Sequence, residues 1–123
     1  LLGNNRAIGE TVHITTDALL TWHQIFELVG RAAGTKPDIV HIPSDVIAKY
    51  DKDWGDSLLG DKTHSMIFDN TKIKRLVPDF AATIPFARGA QEIMGFYNSH
   101  PEHCQVDEKL NQLMDKIIAD YTG

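Results

Sequence analysis

The feature that most constrains this chain is a helix with both ends marked, set between two short β-favouring runs. Thr21 and Gln24 are spaced for a capping box, Leu20 and Ile25 for a hydrophobic staple, and Gly34 for the C-terminal stop. The predicted buried stripe is Trp22, Ile25, Phe26 and Val29. Before the helix, residues 10–15 alternate Val12 and Ile14 with polar partners, which predicts a short strand ended by a turn at Thr16-Asp17. After it, the turn Lys36-Pro37-Asp38 leads into a β-branched run, residues 39–42, bounded by Pro43. A strand-helix-strand unit is expected.

Ser44 is placed to cap a short helix carrying Val46, Ile47 and Tyr50, and residues 51–63 read as short helix and loop. Residues 65–68 are a third candidate strand. Asp69 or Asn70 can cap the short helix of Ile73, Leu76 and Val77, which ends at Pro78. Two longer helices close the chain. One runs from about 84 to 99, with Phe86, Ala90, Ile93, Met94 and Tyr97 on one face, and is stopped by Pro101. The other starts near Asp107 and carries Leu110, Leu113, Met114, Ile117, Ile118 and Tyr121. The expected fold class is therefore α/β (α+β), a small three-stranded mixed sheet with about four to five helices, in a single lobe spanning 1–123 whose residues 107–123 form a helical extension.

Composition narrows the function classes. The chain has 123 residues, 42% hydrophobic and 24% charged, which suits one globular domain with a thin core. The net charge is −5, and the cluster Lys72, Lys74, Arg75 is interrupted by Ile73, which argues against a nucleic-acid partner. One cysteine, Cys104, allows no internal disulfide, and no apolar run is long enough to span a membrane; a cytoplasmic location is expected. The opening Leu1-Leu2-Gly3 reads as the tail of an element whose body lies upstream.

Several residues invite chemical readings. Gly55 through Gly60-Asp61-Lys62-Thr63 approaches a phosphate-binding loop, but Asp61 separates the lysine from the second glycine and would repel phosphate, so an ordinary surface loop is expected. His100, His103 and Cys104 fall short of a four-ligand zinc set, and no metal site is assigned. Cys104 by itself is weak evidence for a nucleophile. His13 and His41 read as surface or satisfied core histidines. Lys62, His64 and Ser65 could present an anion site or form a solvated loop, and Trp54 could stack on a ring or close the core.

Taken in order, Gly9-Glu10-Thr-Val-His-Ile-Thr, Leu20-Thr21-Trp22-His-Gln-Ile-Phe-Glu-Leu-Val, Gly34 and Ile39-Val-His-Ile-Pro43 resemble the C-terminal segment of extended short-chain dehydrogenase/reductases, the NAD-dependent epimerase/dehydratase family. Asp69-Asn-Thr-Lys72, then Pro78, Ile84, Phe86, Gly89 and Phe96-Tyr97 resemble that family's closing pattern. The resemblance spans Gly9 to about Pro101. Leu76-Val77-Pro78 lacks the glycine often found there, which leaves the subfamily open.

The resemblance implies a parent enzyme that uses NAD or NADP on an N-terminal Rossmann half and shapes its substrate pocket with this lobe. The implied partners are that half and a nucleotide-sugar-like substrate, with a homo-oligomer also open. No Tyr-x-x-x-Lys pair and no glycine-rich dinucleotide turn occur in the sequence, so no catalytic residue is assigned and the chain is expected to bind no cofactor alone. Pro43, Ser44, Trp54, Lys62 and His64 are the candidate substrate wall. A non-enzymatic binding or interaction module derived from the same family is the alternative. A lobe should expose an apolar patch and self-associate; a module built to stand alone should cover its apolar stripes.

Overall fold

A computed structural model of the chain describes residues 1 and 3–123; Leu2, and with it part of the leading Leu1-Leu2-Gly3, lies outside the described residues. Among the described residues six α-helices are present: α1 (Trp22–Ala32), α2 (Ser44–Ile47), α3 (Lys52–Ser57), α4 (Thr71–Leu76), α5 (Phe86–Ser99) and α6 (Glu108–Thr122). A π-helical turn, Leu58–Lys62, continues α3, and 3-10 turns occupy Asn5–Ala7 and Pro101–His103. The chain divides into two compact units, one made of Leu1–Pro37 with Met66–Gly95, the other of Asp38–Ser65 with Phe96–Gly123.

The helix ends follow their local chemistry. At α1 the capping box is complete: Thr21 Oγ1 accepts from the Gln24 backbone N–H at 3.3 Å, and Gln24 Oε1 accepts from the Thr21 N–H at 2.8 Å. Its C-terminus closes as a Schellman motif. Gly34 sits at φ +73°, donating its N–H to Arg31 O, while Thr35 N–H donates to Gly30 O. Asp107 Oδ1 accepts from Leu110 N–H and starts α6. α5 begins at Phe86, two residues later than expected, because Pro85 precedes it and supplies its carbonyl to Arg88 and Gly89.

The expected three-stranded sheet is absent: the structure is helical, and no strand occurs among the described residues. A strand has no hydrogen bonds of its own and exists only in a ladder. Residues 10–15, 39–42 and 65–68 have β-favouring side chains but no ladder partner, so they are non-helical connections. In the first unit, two of these runs meet through side chains alone. The ring of Phe68 lies edge-on to that of His13, with centroids 4.9 Å apart. Thr15 is bonded by the side chain of Asn70, whose Nδ2 donates to Thr15 O at 2.8 Å and whose Oδ1 accepts from Thr15 Oγ1 at 3.2 Å. Asn70 therefore does not cap α4 with its side chain; Asp69 does that work, its Oδ1 accepting from Thr71 N–H at 2.8 Å.

The expected apolar stripes form, but they are only partly covered. On α1, Trp22 and Phe26 are 65% and 55% exposed, so the predicted buried stripe is largely a surface stripe. The fully buried hydrophobic residues among those described are Ile73 and Ala90 in the first unit and Ile117 in the second. The accessible surface totals 9894 Å². A compact domain of 13.7 kDa would expose about 6,600 Å², and two separate compact domains of half that mass about 8,000 Å² together. The excess survives either comparison, so the chain leaves uncovered apolar surface that ordinary folding would bury.

Candidate functional site

The five candidate substrate residues all lie in the second unit, on the run of short helices from α2 to the π-turn. Pro43, not Ser44, is the N-cap of α2, and its carbonyl accepts from Val46 and Ile47. Ser44 is thus the first helical residue, and its hydroxyl does not cap the helix. That hydroxyl lies 3.5 Å from Thr63 Oγ1. Asp51 Oδ1 accepts from Trp54 N–H at 2.8 Å and opens α3. Trp54 is half-buried.

Gly55, the first glycine of the phosphate-loop-like run, is buried against Ala48, and a Cβ at this position would collide with that residue's Cα and Cβ. It is a close-approach glycine between two helices and not part of an anion cradle. At the other end of the run the backbone widens into the π-turn. Thr63 N–H reaches Leu58 O at 2.9 Å, and Thr63 Oγ1 donates to the same carbonyl at 2.7 Å. In an ordinary α-helix residues five apart point to different sides. The wider turn brings Lys62 Nζ to Ser57 Oγ at 2.9 Å, and Asp61 Oδ1 also accepts from it at 3.2 Å. The intervening Asp61, which argued against a phosphate loop, thus pairs with the lysine itself.

Ser44 and Thr63 are brought together, Lys62 is adjacent to Thr63 on the same turn, and His64 follows with its backbone N–H on Asp61 O. Thr63 and Ser57 were not singled out by sequence reasoning. Their only signal is hydroxyl spacing that becomes meaningful once the turn is π-helical, and nothing in the pattern announces that geometry. The exposed Lys62–Asp61 pair is worth no more than about 1 kcal/mol, so an oxyanion can compete for the ammonium. The site offers hydroxyl donors and one exchangeable cation. Such a site can grip an anionic or polyhydroxylated ligand.

In the second unit, the Phe96 ring is stacked by His100 at 4.3 Å and His103 at 5.7 Å, while His100 Nδ1 lies 2.9 Å from Phe96 O. Cys104 is exposed, with Sγ 3.7 Å from Tyr97 O. Among the described residues no group of three His, Cys, Asp or Glu side chains is placed to hold a metal ion. In the first unit an open groove of about 380 Å³ is lined by Leu1, Asn4, Ile8, Glu10 and Val12, and none of the five candidate residues reaches it. Among the described residues no helix is long and apolar enough to cross a membrane. Comparison of the chain with protein-family models, with curated proteins and with solved structures found no match to any of them.

Proposed function

We propose that this chain is the substrate-binding C-terminal portion of a cytoplasmic, NAD(P)-dependent sugar-nucleotide epimerase/dehydratase and carries none of the catalysis itself. The observation that carries this reading is the surplus of exposed apolar surface, with Trp22 and Phe26 on α1, Met66 to Phe68 in the connection, and Met114 and Ile118 on α6. A binding module evolved to stand alone would cover such stripes; a lobe shaped to sit against a nucleotide-binding half would not. The motif order from Gly9 to Pro101 supports the same parent, and the hydroxyls of Ser44 and Thr63 beside Lys62 suit a ligand with phosphate and sugar oxygens. Grip on the part of a substrate remote from the reacting carbon positions it for chemistry done elsewhere.

Two measurements test this reading. In sedimentation velocity the chain should associate as its concentration rises, and it should raise the fluorescence of a hydrophobic dye. A well-behaved monomer that leaves the dye dark overturns the proposal. Titration with UDP-glucose should then perturb the amides of Ser44, Lys62, Thr63 and His64, and Lys62→Ala should weaken that response. Perturbations confined to other residues would remove these four from the substrate wall.

A further inference from the structure

The segment 10–15 is β-favouring in composition, yet among the described residues the backbone of 11–14 pairs with no other backbone. An exposed extended segment of Thr-Val-His-Ile-Thr is a template for pairing with a second chain. Three side chains from the start of α4 occupy the positions where such pairing would begin. Asn70 reproduces at Thr15 the two bonds that a neighbouring strand would make. Its Nδ2 donates to Thr15 O at 2.8 Å, and its Oδ1 accepts from Thr15 N–H at 3.4 Å. Asn70 is 5% exposed, so these polar atoms have little water to turn to instead. At the other end, Lys72 Nζ donates to Thr11 O at 2.8 Å and pairs with Glu10 at 2.6 Å. Just beyond the segment, Asp17 is held by Lys74 Nζ at 2.8 Å and by Asn70 Nδ2 at 3.1 Å.

We propose that Asn70, Lys72 and Lys74 form a clasp that keeps the strand-competent segment 10–15 from pairing, edge to edge, with another copy of the chain. An incoming strand would have to displace the Asn70 amide from Thr15 and the Lys72 ammonium from Thr11, and it would desolvate two lysines in doing so. Charged side chains, lysine above all, are how natural sheet edges resist such pairing. The clasp is independent of the lobe's proposed role, because it concerns backbone pairing and not the apolar stripes.

The test compares the parent chain with the double variant N70A K72Q, at equal concentrations, by infrared spectroscopy in the amide I region and by amide hydrogen exchange. The variant should shift intensity into the intermolecular β band as concentration rises, and at low concentration, before pairing, Thr15 should exchange roughly fivefold faster, the ratio that one net hydrogen bond sets. Adding Ile14→Lys, on the segment's exposed centre, should abolish the new band. A variant that never acquires the band overturns the proposal, as does a band that persists with Ile14→Lys. If the loss of Asn70 unfolds the chain, K72Q K74Q takes its place. Both lysines are exposed, and the same gain and the same suppression are expected.

Discussion

The two units hold themselves together by different means. In the first, beside the ring contact of His13 with Phe68, a set of polar bonds joins residues far apart in sequence. Asn70 and Lys72 tie α4 to the segment that begins at Glu10, and Asn4 Nδ2 donates to Leu76 O at 2.8 Å across 72 positions. In the second, the run from Ser44 to Thr63 is held by short-range backbone bonds, by one close helix approach, Gly55 on Ala48, and by a long-range side-chain bond, from Tyr50 OH to Asp120 Oδ2 at 3.1 Å. Side chains that replace a ladder need buried amides at particular positions. Helices that pack by close approach need the absence of a side chain at one. At these positions the first unit is therefore sensitive to polar deletions and the second to added volume.

The largest expected effect is in the second unit. Gly55→Leu forces a side chain into Ala48 and should destabilise by about 3 kcal/mol, at the upper end of overpacking costs. Each unit contains one of the two tryptophans, Trp22 in the first and Trp54 in the second, so single-tryptophan variants report each separately in urea. A midpoint that falls at Trp54 and stays at Trp22 sustains the contrast; equal falls at both would show that the units unfold as one.

Asn70→Ala comes next. It strands Thr15's backbone carbonyl and hydroxyl beside a lost amide and should cost about 2 kcal/mol, read at Trp22. If Trp54 reports the same loss, the division by bonding type fails. Thr21→Ala removes half of the capping box and should cost about 1 kcal/mol, again at Trp22.

The smallest effects are those of pH, and they run in opposite directions in the two units. In the first, the hydrogen bond from Lys74, and after it that from Asn70, holds Asp17 below the ordinary carboxylate range, and the Thr71 side chain and backbone do the same for Asp69. Their folded values lie below the unfolded ones, so the stability they add is present above about pH 4 and is lost as pH falls through the folded values. In the second, the hydrogen bond to Asp120 raises Tyr50, and the bond to Asp56 raises Lys52. That stability is complete below about pH 10 and is lost as pH rises through the raised values. Acid should loosen Trp22's surroundings first and alkali Trp54's; the reverse order would break the comparison.

The helices were legible where their ends are written in neighbouring residues. Thr21 with Gln24, Gly34, and Asp107 were all readable because a cap acts within one turn of the backbone it satisfies. The strands were misread because alternation states only what a residue would do beside a partner. Residues 10–15, 39–42 and 65–68 have the pattern without the ladder. The geometry around the candidate wall was legible only in part. Ser44 and Lys62 were singled out by type, whereas Thr63 and Ser57 joined them only through the π-turn.

The sequence by itself determined the caps that bound α1 and start α6, that Cys104 has no disulfide partner within the chain, and that a Tyr-x-x-x-Lys pair is missing. Those are properties of one residue and its near neighbours. Only the tertiary structure decided that Asn70 serves Thr15 instead of capping α4, that Gly55 is a helix contact, and that the apolar stripes stay largely uncovered. Each of these depends on which distant groups arrive within hydrogen-bonding or van der Waals reach, and no local pattern carries that information.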